Sequence, residues 1–158
     1  MKLKIVTALI SLSLFFSQAS NASDSDEFIG TWLLVHFQVT NESGDWVVPT
    51  NAVGRVGYIN YSPEGYMSFQ TMQTNRPNFS TNRVPDVPPA EIVEAFRSYV
   101  AYFGTYEIDE QAKTVIHHRI GFLNPNASNT SAVRSYTFYG KQLTLQIGEN
   151  SRYVWRRP

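Results

Sequence analysis

From Gly30 onward the chain alternates apolar and polar positions in short runs divided by turn residues, the pattern of an all-β sandwich or barrel. Residues 32–40 are rich in β-branched and aromatic side chains and stop at Asn41-Glu42-Ser43-Gly44-Asp45. Residues 55–61 and 66–73 flank Ser62-Pro63-Glu64-Gly65, a turn with Pro early and Gly late. Residues 105–108 and 114–120 flank Asp109-Glu110-Gln111-Ala112. Residues 133–139 and 142–147 flank Gly140-Lys141, whose length and glycine predict a tight hairpin, and residues 152–157 close the set at eight strands.

One segment departs from this period. After Pro88-Pro89, residues Ile92, Val93, Phe96, Tyr99 and Val100 recur at helical spacing, with Glu91 early. The spacing predicts an amphipathic helix over residues 90–100, between the third and fourth strands. Its apolar stripe is expected to lie on the sheet or to close one end of it. Residues 74–89 contain four prolines and are expected to form a long ordered loop.

Neighbours on a strand face opposite sides. On that parity Trp32, Leu34, His36 and Gln38 share one face, and Arg134, Tyr136 and Phe138 another, while Leu143, Leu145 and Ile147 alternate with polar residues. An eight-stranded barrel holds side chains or one small ligand. His36, Arg134 and Tyr136 on an inner face are therefore candidates to contact a ligand, as a filled core has no use for them.

The N-terminus has its own pattern. Lys2 and Lys4 precede an apolar run over residues 5–16, and Ser20-Asn21-Ala22 supplies the small residues a signal peptidase reads. Residues 1–22 are expected to be a cleaved signal peptide, since the run falls short of the ~20 residues that span a bilayer. No Cys follows it, which excludes a lipoprotein anchor. Residues 23–158 would then form the barrel domain, periplasmic or secreted, with no integral membrane segment left after cleavage.

Composition narrows the chemistry. Of 158 residues 42% are hydrophobic, enough for a packed core. Thirteen basic residues balance thirteen acidic ones, which removes the electrostatic footprint of a nucleic-acid partner. The absence of cysteine excludes disulfides, a thiol nucleophile and Cys-ligated metal. Ser62, Ser68 and Ser135 lack a Gly-x-Ser-x-Gly context, carboxylates form no catalytic pair, and no Gly-rich phosphate loop occurs.

His117-His118 is the most suggestive pair. On a strand the two point to opposite faces and cannot ligate one metal together. If His117 faces inward with Val115 and Arg119, it can exchange a proton with a ligand or bind its carbonyl; the plainer alternative is one buried, hydrogen-bonded imidazole and one exposed. His36 and His117 without a carboxylate make a poor metal site, so neither a metal nor a cofactor is expected. Arg134 and Arg119 on inner faces would hold a carboxylate or similar anion; the plainer alternative is an exposed strand position or an ion pair with Glu107 on a neighbouring strand. Tyr58, Tyr66, Tyr106 and Tyr136, with Phe69 and Phe138, offer apolar lining with hydroxyl handles.

Several motifs together point to a family. Gly30-Thr31-Trp32 on the first strand, with Arg156-Arg157 ending the last, resembles the lipocalin superfamily. Residues 57–68 (GYINYSPEGYMS), Arg76-Pro77-x-Phe79, residues 102–107 (YFGTYE), His117-His118 and residues 153–157 (YVWRR) resemble the bacterial and fungal lipocalin-like domain family. The similarity runs from about Phe28 to Arg157. It implies a small antiparallel barrel around a cavity, in which Trp32 packs at the closed end against Arg157 as a structural cation. Arg119-Ile120 stands where relatives often carry an apolar residue followed by an acidic one.

The expectation is thus an exported lipocalin-like protein that binds a small hydrophobic molecule in its barrel, with room for a negative charge on it. The residues favour binding over catalysis. Two alternatives remain: a cyclase or isomerase that moves a proton through a pocket His or Tyr, and a filled barrel that binds partners on its outer face.

Overall fold

In the computed structural model, residues 23–158 are described; the expected signal peptide, residues 1–22, lies outside the described residues. A short helix α1 (Asp24–Phe28) leads into β1 (Gly30–Thr40), a two-residue strand β2 (Trp46–Val47), β3 (Arg55–Tyr61) and β4 (Tyr66–Gln73). Helix α2 (Pro89–Arg97) follows, then β5 (Tyr99–Asp109), β6 (Thr114–Phe122), β7 (Thr130–Tyr139), β8 (Gln142–Ile147) and β9 (Ser151–Arg156). Pairing runs β1-β3-β4-β5-β6-β7-β8-β9 and returns from β9 to β1. The result is a closed, eight-stranded antiparallel barrel, with β2 as an extra strand on the far end of β1.

Three sequence expectations need correction. The count of eight strands omits β2, whose two residues carry no period; the Asn41 side chain accepts from the Ser43 and Asp45 amides at 3.0 and 2.8 Å and turns the chain into it. The helix consequently lies after β4, between β4 and β5, rather than between the third and fourth strands. It also ends early: Ser98 caps it, its amide bonded to the Glu94 carbonyl at 3.0 Å, and Tyr99 and Val100 pair with Met72 and Thr71 as sheet.

The apolar stripe of α2 does not lie on the sheet either. Ile92, Val93 and Phe96 are all about 45% exposed. The helix is held instead by its Glu91–Ala95 face, where Glu91 accepts from the Ser80 amide at 2.8 Å and the Ala95 carbonyl accepts from Arg76 at 3.3 Å.

The two ends of the barrel differ. At one end the hairpin turns are short and α1 plugs the opening. Phe28 is fully buried there, edge-on to Tyr61, Tyr136 and Phe138 with ring centroids at 5.1, 4.8 and 5.1 Å. Trp32 donates its indole N–H to the Phe28 carbonyl at 2.8 Å. The Arg157 guanidinium lies 4.1 Å above the Trp32 ring and donates to the carbonyls of Ile29, at 2.6 Å, and Glu27. Gly30 makes that approach feasible: its φ is +117°, and a Cβ there would sit 2.7 Å from Arg157 Nη1. At the other end lie all the long connections, residues 41–54, 74–98 and 123–129.

Arg157→Ala should therefore cost about 2 kcal/mol, from one cation–π contact and two charge-assisted hydrogen bonds at a partly exposed site. Urea unfolding of the variant against the parent checks this; a change under about 0.5 kcal/mol would mean that the closed end holds without it.

Candidate functional site

The inward faces of β3, β5, β6 and β7 meet in a polar cluster at the middle of the barrel. Strand β6 turns Val115, His117 and Arg119 inward, and Val115 and His117 are fully buried. The strand comes close to β5 because Gly104 has no side chain; a Cβ there would lie 1.8 Å from the His118 carbonyl oxygen. The β5–β6 register also shifts at Phe103/Gly104, which sets Tyr102 opposite Phe122.

His117 is bonded at both ring nitrogens. The Tyr61 hydroxyl lies 2.8 Å from Nε2, and the Tyr102 hydroxyl 2.9 Å from Nδ1. Arg134 Nε approaches Nδ1 at 3.4 Å, and Arg134 Nη2 the Tyr102 hydroxyl at 3.5 Å. Arginine only donates, so Nδ1 is the acceptor and the ring proton sits on Nε2, donated to Tyr61. Burial holds the His117 pKa well below its ordinary 6.5, and the Arg134 and Arg119 charges push it the same way. Burial likewise raises the Tyr61 and Tyr102 hydroxyls, with Arg134 opposing in each case. The cluster is a neutral imidazole between two neutral phenols, beside one cation.

Around it stand two more arginines. Arg119, partly buried, donates to Thr130 Oγ1 at 2.5 Å and lies 5.4 Å from the Phe122 ring. Arg55, inward on β3 and partly buried, donates to Thr71 Oγ1 at 2.8 Å. Tyr153, inward on β9, lies in their field: burial raises its pKa while Arg55 and Arg134 pull it down.

The other sequence candidates go elsewhere. Tyr58 and Tyr66 sit on the outer face, 51% and 62% exposed. His36 also faces outward, because β1 bulges between Leu34 and His36 and the extra residue, Val35, inverts the parity beyond it. Phe37 takes the inner position and packs on Tyr153 at 4.7 Å. Burial and the nearby Arg152 charge lower the His36 pKa. Tyr106 and Tyr136 are inward but spent on the closed end, bonded to the Ser62 carbonyl at 2.8 Å and the Asp24 carboxylate at 2.6 Å. His118 faces out, 2.8 Å from Ser131 Oγ and 3.3 Å from the Glu107 carboxylate. Trp32 and Arg157 are in contact at the closed end, as described above.

Thus the structure brings together His117 and Arg134 and adds Tyr61, Tyr102, Arg55 and Tyr153, which sequence reasoning missed. Parity with buried Ile59 was the available signal for Tyr61; Tyr102 lay before the point at which the strand was expected to start. Among the described residues, no group of three or more His, Asp or Glu side chains is placed to hold a metal ion. Also among them, no helix is long and apolar enough to cross a membrane.

A model of the lipocalin-like domain matches residues 29–157. Among solved structures, the chain is similar to an uncharacterized protein from Bacteroides eggerthii DSM 20697, at 13% identity over 83% of this chain and 99% of that chain, with a TM-score of 0.44. No curated protein matches it.

The folded pKa of His117 is depressed, so its neutral form supports the fold fully above the unfolded value near 6.5. That support is lost as pH falls from there toward the folded value, because the unfolded chain takes up a proton the folded one refuses. The parent should lose stability below about pH 6.5 with a slope of roughly 1 kcal/mol per unit from this residue. His117→Gln should remove that part of the slope in urea titrations at several pH values; two parallel stability–pH curves would contradict it.

Proposed function

The chain belongs to the lipocalin-like domain family, a binding-protein architecture, and on that premise we propose that it is an exported carrier of a small, largely apolar molecule taken up through the loop-bearing end of the barrel. One observation carries this reading: inward residues are fully buried at one end and only partly buried at the other. Phe28, Trp32, Ile59, Tyr61, Leu143 and Trp155 are at most 2% exposed. Toward the long loops, the inward side chains Phe37, Val100, Phe122, Tyr153, Arg55 and Arg119 are only partly buried. The partly buried end combines aromatic walls with a small number of charged groups, the make-up of a small-molecule site.

Export is inferred from the N-terminal sequence pattern and places the carrier in the periplasm or outside the cell. Burial of the ligand's apolar surface would drive binding, at roughly 25 cal/mol per Å² before ordering costs. Catalysis through His117 fits less well. Both its nitrogens are occupied by tyrosine hydroxyls and the ring is fully buried, which leaves it no free lone pair to offer a ligand.

Decanol, an apolar chain of suitable size, should form a one-to-one adduct in native mass spectrometry of the purified protein. Saturation to about 100-fold over Kd should add about 2.7 kcal/mol and raise Tm by several degrees. Val100→Trp, which fills the cup from β5, should keep the fold and lose both effects. Absence of any adduct or shift with decanol and other lipophiles would favour a filled barrel.

A further inference from the structure

Acidic and basic residues balance over the whole chain, yet the barrel interior is one-sided. Arg55, Arg119 and Arg134 occupy inward positions on β3, β6 and β7, and the inward positions of the eight barrel strands carry no Asp or Glu. Among the described residues the ion pairs are Arg83–Asp86, Lys113–Asp24 and His118–Glu107, and none includes an interior arginine.

Arg134 is the clearest case. It is 8% exposed, and its two acceptors lie at 3.4 and 3.5 Å, both long for a guanidinium with five donors. Arginine cannot shed its charge, and a buried charge without a counter-charge is strongly unfavourable. Two further donors are orphaned: Arg119 Nε and, on the inner face of β9, the indole N–H of fully buried Trp155 have no acceptor. Every surplus polar group named here is a donor. That imbalance is opposite to what a cation needs, and with the positive charge of the arginines it matches an oxyanion.

Resting on the reading that the barrel takes a ligand, we propose that the ligand is an amphipathic acid bound as its anion, with its carboxylate held inside by Arg134 under the positive field of Arg119 and Arg55. The carboxylate goes to the interior and not to the rim, because Arg134 is the most buried of the three. The apolar body then lies toward Phe37, Val100 and Phe122 at the loop end. The bound anion supplies the counter-charge that no interior side chain provides.

Decanoate and decanol share a chain and differ in charge, so titration calorimetry of the full protein with each, at about pH 8 and low salt, separates the two claims. Decanoate should bind at least about tenfold tighter than decanol. Arg134→Leu should abolish that preference, bringing decanoate affinity down to that of decanol. It should not lower the urea midpoint, since an apolar side chain replaces an unpaired buried cation. Arg55→Gln, at a partly exposed site, should weaken decanoate about threefold without affecting the fold. Equal affinity for decanoate and decanol overturns the anion site and leaves the apolar carrier standing; no binding of either overturns both. An Arg134→Leu variant that loses stability but keeps the decanoate preference would make Arg134 a structural donor to His117 and Tyr102, and would also overturn the proposal.

Discussion

Arg157 lies 4.1 Å above Trp32 and donates to two carbonyls of the segment that enters β1, so the tail of the last strand grips the head of the first. An antiparallel sheet of eight strands has two edges, and a closed barrel exists only if β1 and β9 pair. Their register, from Leu33↔Arg156 to Val39↔Ser151, starts beside this clamp. Gly30 leaves the space for the guanidinium, Trp32 offers the ring, and Phe28 carries the carbonyl that receives the Trp32 N–H. Remove the cation and the same few residues lose their common partner.

The two ends of the barrel are buried unequally. The plug of Phe28, Tyr61, Tyr136 and Phe138 concentrates apolar burial at the end with the short hairpin turns. Farther along the barrel the residues grow polar, with His117 between Tyr61 and Tyr102 and three arginines around them. Such a cluster adds less stability than an apolar core of the same volume, because each buried polar group must find a partner. The His117 bonds meet that demand in full; the arginines do not. The molecule tolerates unmet donors in its middle because the closed end, the β1–β9 seam and the aromatic ladder of Phe69, Tyr102 and Phe122 hold the wall around them.

The β1 bulge shows how a single residue reassigns a surface. Before Val35 the strand turns Trp32 and Leu34 inward; after it, Phe37 is inward and His36 faces out beside Arg152. Parity along the sequence predicts the opposite. The insertion strengthens the local twist where β1 leaves β3 to continue along β9, and nothing in the alternation of residues 32–40 announces it. The short β2 and the exposed stripe of α2 escape sequence reasoning for related reasons. Two residues carry no period, and a helical period reveals an apolar face without revealing what covers it.

The residue pattern alone fixes an all-β chain and leaves a sandwich and a barrel both open; the barrel is what the lipocalin resemblance implies. Alternation with period two on most strands, turn residues between them, and Gly30-Thr31-Trp32 with Arg157 are local or terminal features, and each has a direct physical consequence for strand, turn or seam. Parity also groups His117, Val115 and Arg119 on one face of β6 and Arg134 with Tyr136 on one face of β7, and the uninterrupted β6–β7 register, with Val115 opposite Arg134, makes these the same inner face. Which residues meet is settled in three dimensions. Tyr61, Tyr102, His117 and Arg134 come from four strands and are brought together by barrel closure, while the bulge in β1 and the register shift at Gly104 select which faces look inward. Those selections depend on strand pairing across the whole ring, and a period read along one strand carries no information about its partner.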